Sequence, residues 1–299
     1  MNRICVALAL AMTALTILAA GTNRSTLKFG VGKKSSFLMP NGDRAFVVGI
    51  AGLKPTNFIK RESDQVLTFE DPRIIDAEKS AETHVDDYWC ESLTDCNLLV
   101  WTGWAKWAIG VTNEDDFAAL LLKEPEICTK YEIIAWTMAR RGCVIDESNC
   151  EIIAWRKTKT PIGVELLVDQ LARLMKNGDR IAYLQVDWTT RKGSHAVTCC
   201  GFATKRGKGI KPFSPESLAG LFIINSDNDK SKKHGGGGRQ APNTIQYQRA
   251  WFDKGKNAYF IEFPNGDIGK IRFFCFLRGF DKKLVPLLKP VKATAPLNL

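Results

Sequence analysis

The second half of the chain constrains the fold most, because five β-type runs follow one another there. The runs are RIAYLQVDW, SHAVTCCGFAT, GLFIINS, NAYFIEF and KIRFFCFLRGF. Turn signals, including Pro264-Asn265-Gly266-Asp267, separate them, as is typical of strands joined in an antiparallel sheet. Two earlier runs, DRAFVVGIAGL and QVLTFED, also have strand character.

Helical segments precede these runs. The periodicity predicts a helix from about Cys90 to Ala108, with apolar residues at steps of three and four. Three further helices are predicted in NEDDFAALLLKE, with Asn113 as its N-cap, in YEIIAWTMARRG and in PIGVELLVDQLARLMKNGDR. Helices that come first and an antiparallel sheet that follows indicate an α+β domain.

The N-terminus predicts export. Arg3 is followed by an apolar run from Ile4 to Ala20 and by the small residue Gly21, the pattern of a secretory signal peptide over residues 1–21. A membrane anchor is the alternative, but the run is slightly short for a span of about 20 residues. We therefore expect a protein that is secreted, periplasmic or at the cell surface, without stable membrane insertion after signal removal.

The remaining chain divides by composition. Residues 22–80 open with an exposed polar lead-in, and they form an N-terminal extension, a pro-region or the start of the fold. Residues 81–283 form the main domain, and 284–299 a tail. The net charge of +10 sits in short clusters in loops and in the tail, without interleaved aromatics. That pattern predicts no nucleic-acid binding and fits solvated loops or an acidic partner.

The cysteines fit an exported chain. Nine are present, and eight remain when the signal peptide is removed. Cys143 and Cys150 flank the short loop VIDESN and are the best candidates for a disulfide. No CxxC pair repeats and histidines are few, so the sequence predicts no metal site and no cofactor.

One thiol is placed for nucleophilic chemistry. Cys90 stands where an acidic turn gives way to the first helix, and a helix N-terminus stabilises a thiolate. A thiolate also needs an imidazole, and three histidines are available. His84 lies on a charged loop and His234 beside GGGG, whereas His195 opens a strand and is the best partner.

An imidazole needs an acceptor that orients its other nitrogen. The strand GLFIINS leads into Asn225-Ser226-Asp227, and antiparallel pairing brings its end near the start of the His195 strand. Asn225 and Asp227 point to the same face, so either one can orient His195. The order Cys, His, Asn/Asp is that of papain-type enzymes.

Two segments resemble a known family. DDYWC-ESLTDCNLLVW resembles the nucleophile segment of the streptococcal immunoglobulin G-degrading cysteine endopeptidases, which carry DDLLC before a helix with paired tryptophans. The HAV…GF and FIINSDND segments are similar to that family's histidine strand and its TDSDS segment. The resemblance covers about residues 84–108 and 181–232.

The resemblance implies a papain-like catalytic domain over residues 81–283, with Cys90 as nucleophile and His195 as base. Asn225 falls on the third catalytic position, where the family has Asp, and Asp227 on a second acidic position. The family also places a lysine near the oxyanion, about ten residues before the nucleophile. Lys79 is the nearest lysine to that spacing, and the backbone N–H of Cys90 is the other expected donor.

Tryptophans surround the expected nucleophile. We expect Trp89, Trp101, Trp104 and Trp107 to pack in the core. Trp89, beside the nucleophile, and Trp188 are also the candidates to line a substrate cleft. The expected function is that of an exported cysteine endopeptidase acting on a protein or peptide substrate, by resemblance a host protein such as immunoglobulin. An amidase or acyltransferase on the same fold is one alternative, and a non-enzymatic exported binding protein with a disulfide-bonded Cys90 is another.

Overall fold

The computed structural model describes residues 26–60, 66–78, 89–124, 126–127, 133–145, 149, 151–156, 164–207, 214–226, 243–264 and 266–290. Within these residues a helical segment packs against a large antiparallel sheet of 11 strands, which is an α+β architecture. The predicted α+β class is confirmed at this level.

The elements are numbered in chain order. The helices are α1 (Cys90–Thr102), α2 (Trp104–Ile109), α3 (Glu114–Lys123), α4 (Ile133–Ala139) and α5 (Val164–Asn177). The strands are β1 (Lys28–Leu38), β2 (Arg44–Ala51), β3 (Ile59–Lys60), β4 (Leu67–Glu70), β5 (Cys143–Val144), β6 (Ile153–Arg156), β7 (Arg180–Trp188), β8 (Ser194–Thr204), β9 (Leu218–Ile224), β10 (Thr244–Asp253), β11 (Ala258–Glu262), β12 (Ile268–Arg278) and β13 (Lys289–Pro290).

The sheet contains a closed cycle of strand pairs. Its main path runs β1-β2-β8-β7-β12-β11-β10-β4-β3, and β9 pairs with both β8 and β10. The six strands from β7 to β12 therefore form a ring of antiparallel pairs. β6 pairs with β12 outside this ring, and β5 pairs only with β13. The ring holds β8 and β9 side by side, which fixes the positions of their ends.

The C-terminal end of α1 is anchored to the end of β12. The Thr102 carbonyl accepts from the Phe280 N–H at 2.7 Å, and Trp104 Nε1 donates to the Arg278 carbonyl at 2.6 Å. Arg278 is paired with Arg180, the first residue of β7. Since β8 runs antiparallel to β7, the end of α1 points toward the end of β8, and α1 and β8 run in the same direction.

The helix predicted from Cys90 to Ala108 is broken at Gly103. Gly103 has φ +81°, a left-handed conformation that glycine adopts without the Cβ penalty, and its N–H donates to the Val100 carbonyl. The chain re-enters a helix at once, so Trp104 is fully buried and packs edge-on against Trp107 at 5.5 Å. The apolar periodicity continues across the break, which is why the sequence reads as one helix.

The lead-in before residue 43 is part of the sheet. β1 pairs with β2, and β2 pairs with β8 through registers such as Val47 with Gly201. β1 is exposed, as the sequence predicted, but its strand structure was missed. Ser35 is its one residue with a buried side chain, so the strand carries no hydrophobic alternation. Charged edge strands of this kind guard a sheet against further pairing.

β10 and the elements near the C-terminus were also missed. β10 buries Thr244, Gln246 and Gln248, so polar residues occupy inward positions and hide the alternation. The predicted tail from residue 284 begins inside a 3₁₀ helix over Lys282–Leu287, and β13 then pairs with β5. Residues 291–299 lie outside the described residues.

The segment before α1 is docked through buried polar groups. Ala77 N–H donates to Asn97 Oδ1 at 2.6 Å, and Thr244 N–H donates to Asp76 Oδ2 at 3.3 Å. Asp76 is 3% exposed, and its own N–H donates to Glu114 Oε1 at 3.4 Å. Burial, with a smaller contribution from the Glu114 charge, raises the pKa of Asp76 to about 7.

The raised pKa of Asp76 predicts a pH-dependent stability. Between about pH 4 and 7 the folded state binds more protons than the unfolded state. The contribution of Asp76 to the free energy of unfolding is therefore lost as pH rises through that window. Asp76→Asn keeps an oxygen for Thr244 and never ionises. We expect it to raise the urea midpoint at pH 8 more than at pH 5.

The exposed Asp115→Asn serves as the matched control and should show no such difference between the two pH values. An equal effect of Asp76→Asn at pH 5 and pH 8 would mean that folding does not change the proton binding of Asp76 in this range, contrary to this expectation.

Candidate active site

Cys90 is the first residue of α1. The N-cap residue, Trp89, makes no side-chain capping bond, and the Leu93 N–H donates to the Trp89 carbonyl at 2.9 Å. The first N–H groups of an α-helix lack intrahelical acceptors and carry the positive end of the helix dipole, which favours a thiolate at this position. Cys90 is half-buried, and its sulfur is not in a disulfide.

His195 is the second residue of β8 and is hydrogen bonded to Asn225. The His195 Nε2 to Asn225 Oδ1 distance is 2.8 Å. Asn225 directly follows β9, which pairs antiparallel with β8, so the structure brings these two predicted residues together. An amide oxygen only accepts, so Nε2 carries a proton, and Nδ1 is the acceptor nitrogen of the neutral ring.

Cys90 and His195 lie at the same end of the sheet. Asn97 Nδ2 of α1 contacts Thr198 Oγ1 of β8 at 3.4 Å. From Asn97 back to Cys90 the helix covers about 10 Å, at about 1.5 Å per residue. From Thr198 back to His195 the strand also covers about 10 Å, at about 3.4 Å per residue. Because α1 and β8 run in the same direction, Cys90 and His195 lie at about the same height along that direction.

Trp188, at the end of β7, packs against the imidazole. Its ring is stacked on His195 with centroids 5.7 Å apart and an interplanar angle of 13°. Phe263 packs edge-on against both, at 4.9 Å from Trp188 and 6.0 Å from His195. Arg191 lies over the Trp188 ring at 4.6 Å and pairs with Asp267 at 3.1 Å.

These contacts refine the expected roles of two tryptophans. Trp188 was expected to line a substrate cleft, and the structure adds a direct contact with the imidazole. Of the two expectations for Trp89, the structure supports packing in the core, because it is only 7% exposed and belongs to the hydrophobic core. Trp101 and Trp107 are partly buried against that core, as predicted.

Tyr183 is a residue that the sequence analysis missed. It lies on β7 opposite Thr198 and is 2% exposed. Burial raises its pKa, and the nearby acidic groups Glu91 and Asp95 and the thiol of Cys90 raise it further. A neutral phenol therefore lies near the first turn of α1. A tyrosine within an apolar strand looks like an ordinary core residue, so no sequence signal distinguished it.

Two expected site residues lie outside the described residues. Lys79 was the expected oxyanion donor, and Asp227 was the second candidate to orient His195. Asn225 is therefore the acceptor that the structure shows for His195 Nε2.

The other described cysteines differ from Cys90. Cys96, Cys199, Cys200 and Cys275 are buried, and burial raises the pKa of Cys199 to about 12 and raises that of Cys200 as well. Cys143, predicted to bridge to Cys150, is half-buried and is not in a disulfide with any described cysteine. Cys150 itself lies outside the described residues.

Metal sites and membrane-spanning helices are other features that the described residues could contain. In the part of the chain that the structure describes, no cluster of three or more His, Cys, Asp or Glu side chains could hold a metal ion. Among the same residues, no helix has the length and apolar character needed to cross a bilayer.

Comparison with known proteins adds no relative. No protein-family model matches the chain, and a search of curated proteins returns no significant match.

Proposed function

We propose that this protein is an exported papain-like cysteine endopeptidase, with Cys90 as nucleophile, His195 as base and Asn225 as the residue that orients the imidazole. The observation that carries the proposal is the 2.8 Å hydrogen bond from His195 Nε2 to Asn225 Oδ1. That bond engages Nε2, so Nδ1 is the nitrogen that we propose takes the proton of Cys90, the first residue of α1.

The proposal requires the two side chains to meet over the end of β8. Thr198 faces α1, and His195 is an odd number of residues away, so strand alternation directs the imidazole to the other face. His195 is next to the first residue of β8. The proposal therefore needs the Cys90 thiol, on the first turn of α1, to approach the imidazole around that strand end. The open end of the sheet then forms the substrate cleft.

The proposed reaction follows from these positions. Nδ1 of His195 takes the proton of the Cys90 thiol, and the thiolate attacks the scissile carbonyl carbon. Backbone N–H groups at the start of α1 stabilise the oxyanion. The imidazolium then protonates the leaving amine as the C–N bond breaks, which leaves a thioester. His195 next deprotonates a water that attacks the thioester, and the acid and the thiol are released.

Asn225 has a limited role in this scheme. A neutral amide holds Nε2–H and fixes the ring orientation, without adding a negative charge to stabilise the imidazolium. The negative charge that stabilises the imidazolium then comes from the Cys90 thiolate alone, and the N-terminus of α1 stabilises that thiolate.

Digestion of defined proteins tests the proposal. Casein and immunoglobulin G are incubated with the wild-type protein and with Cys90→Ser, and new termini are mapped by mass spectrometry. We expect fragments with the wild-type protein alone. Cleavage restricted to small amides would favour the amidase alternative, and transfer of an acyl group to an added amine without hydrolysis would favour the acyltransferase. No reaction in any arm would contradict the enzyme.

Trp188 is expected to act as a positioning residue. Removing the indole takes away the surface against which the His195 ring stacks and admits water to the hydrogen bond with Asn225. We expect Trp188→Ala to lower kcat/KM by about tenfold, mainly through kcat, because the catalytic geometry loosens. Trp188→Phe should retain most of the activity.

The control for this prediction is Trp251→Ala. Trp251 is a half-buried tryptophan stacked on Phe260 at 5.8 Å. Thermal unfolding of both variants separates positioning from stability. If Trp188→Ala lost activity only in proportion to its folded fraction, Trp188 would be a structural residue and the positioning role would be refuted.

A further inference from the structure

We propose that a basic groove next to the candidate site binds acidic peptide segments that also carry large apolar side chains. This inference rests on the proposed function, because it names the class of polypeptide that the endopeptidase takes. The basic groove is defined by two neighbouring cavities that share the turn between β1 and β2, formed by Met39, Pro40 and Asn41.

The first cavity has an apolar wall. Its volume is about 600 Å³, and it lies between the β1–β2 turn, the start of β4, the middle of β10 and the turn after β11. Met39, Leu67, Tyr247 and Phe263 contribute apolar surface. A cavity of this size accommodates side chains as large as leucine or phenylalanine.

The second cavity continues the groove and is lined by cations. Its volume is about 610 Å³, and Arg44, Lys205 and Arg206 line it. All three are exposed. The apolar contribution comes from Leu38, which is 56% exposed. Cationic residues beside an exposed apolar side chain match a ligand that combines carboxylates with apolar groups.

The charges of the whole groove favour an anionic ligand. Lys60 and Arg249 line the first cavity, so five cations line the two cavities together. Among the described residues that line the two cavities, Glu262 is the one acidic residue, and it already pairs with Arg249 at 3.5 Å. The net charge of the chain, +10, has the same sign as the groove. Complementary charge speeds and orients the encounter with an acidic segment.

Phe263 connects the groove to the candidate site. Its ring contacts His195 at 6.0 Å and Trp188 at 4.9 Å, and the same residue lines the first cavity. In this arrangement only the ring of Phe263 separates a peptide in the groove from the proposed base, His195. The groove can hold residues of the substrate that flank the bond to be cleaved.

A peptide fits this groove better than a nucleic acid. The first cavity offers more apolar than polar surface, and its aromatic residues Tyr247 and Phe263 are half-buried and buried rather than displayed for base stacking. Single-stranded nucleic acids are bound by exposed aromatic platforms along a basic track.

Fluorescence anisotropy with the full-length Cys90→Ala protein tests the proposal without cleavage. The probe is a fluorescein-labelled hexapeptide, Glu-Leu-Glu-Phe-Glu-Leu, and the comparison peptide has lysine at each glutamate. We expect the acidic peptide to bind, more weakly at 200 mM than at 50 mM salt, and the basic peptide not to bind. Lys60→Glu with Arg249→Glu should lower the affinity by about tenfold.

The matched control makes the same charge change elsewhere. Lys106→Glu with Lys123→Glu alters two exposed lysines on α2 and α3 and should leave the affinity within about twofold. An equal loss in both double variants, or no binding of the acidic peptide, would overturn the proposal. Equal or tighter binding of a 12-nucleotide single-stranded DNA would also overturn it, in favour of a nucleic-acid site.

The groove and the catalytic proposal fail separately. If the acidic peptide binds but Cys90 shows no hydrolytic activity, the proposed function is wrong, and the groove remains a peptide site. If the wild-type protein cleaves acidic and basic peptides with the same KM, the groove plays no part in selecting substrates, and the catalytic proposal is unaffected.

Discussion

Cys90 of the wild-type protein is expected to react with iodoacetamide at a rate that stays nearly constant from pH 8 down to about pH 5. In His195→Ala the rate should instead rise with pH through about 8.5, the ordinary pKa of a cysteine. Without the imidazole, about 0.3% of such a thiol is ionised at pH 6. Allowing for the lower nucleophilicity of a stabilised thiolate, we expect His195→Ala to react on the order of tenfold more slowly at that pH.

Peptide mapping by mass spectrometry makes this measurement site-specific. Cys143 is also half-buried and outside a disulfide, so it is an internal reference whose rate should not respond to His195→Ala. Cys199 and Cys200 are buried and should stay unlabelled in the native protein. The shape of the pH profile is the decisive readout, because a general loss of structure would expose the buried thiols as well.

Catalysis should depend on the same pair more steeply. We expect peptide hydrolysis to fall on the order of 10⁴-fold in Cys90→Ser and His195→Ala, because members of a catalytic unit act together. Asn225→Ala should cost less, since the ring keeps its stacking against Trp188. If Cys90 and Cys143 showed the same pH profile in the wild-type protein, Cys90 would be an ordinary thiol, and the cysteine endopeptidase would be refuted.

Gly201→Ala is expected to destabilise the protein by about 3 kcal/mol, at the upper end of the effect of overpacking. A Cβ at Gly201 would lie 2.3 Å from the Phe46 carbonyl oxygen and 3.0 Å from Val47 Cα. Both atoms belong to the backbone of β2, which pairs with β8 at this point. The obstruction therefore cannot be relieved by a side-chain rotation, and β2 has to move away from β8.

Gly255→Ala is the control for this effect. Gly255 lies in the turn between β10 and β11, where the nearest atom to an added Cβ is a side-chain oxygen of Asp253 at 3.4 Å. We expect Gly255→Ala to be neutral or slightly stabilising, since it lowers the entropy of the unfolded chain. Urea unfolding that gave the same midpoint for both variants would show that β2 and β8 are not in close contact at Gly201.

Local patterns in the sequence were sufficient for much of the site. The start of α1 at Cys90, the strand that begins near His195 and the strand that leads to Asn225 all follow from hydrophobic periodicity. The meeting of His195 with Asn225 follows from one further rule, that neighbouring strands in such a sheet are antiparallel. The position of Cys90 relative to His195 along the sheet could be derived only from the packing contact between Asn97 and Thr198, which no local pattern records.

The contacts and elements that the sequence did not reveal share a physical cause. Trp188 contacts His195 because the ends of β7 and β8 are adjacent, and its role is set by a ring contact and not by its spacing from the nucleophile. Tyr183 lies beside the first turn of α1 through tertiary packing. β1 and β10 were missed because a polar edge strand and a strand with buried glutamines both lack alternation.

Along one edge, β8 pairs first with β7 and then with β2, and this arrangement affects what proteolytic cleavage of the chain can release. β7 accompanies β8 as far as Cys199, and β2 takes over from Gly201. A proteolytic nick shortly after Ala51 would therefore not release the hairpin that precedes it. The two fragments would stay associated through strand complementation, separating on a denaturing gel but eluting together from a sizing column. Zymogen-style activation by shedding that hairpin would leave the backbone of residues 201–204 without the hydrogen-bond partners that β2 supplies on that edge.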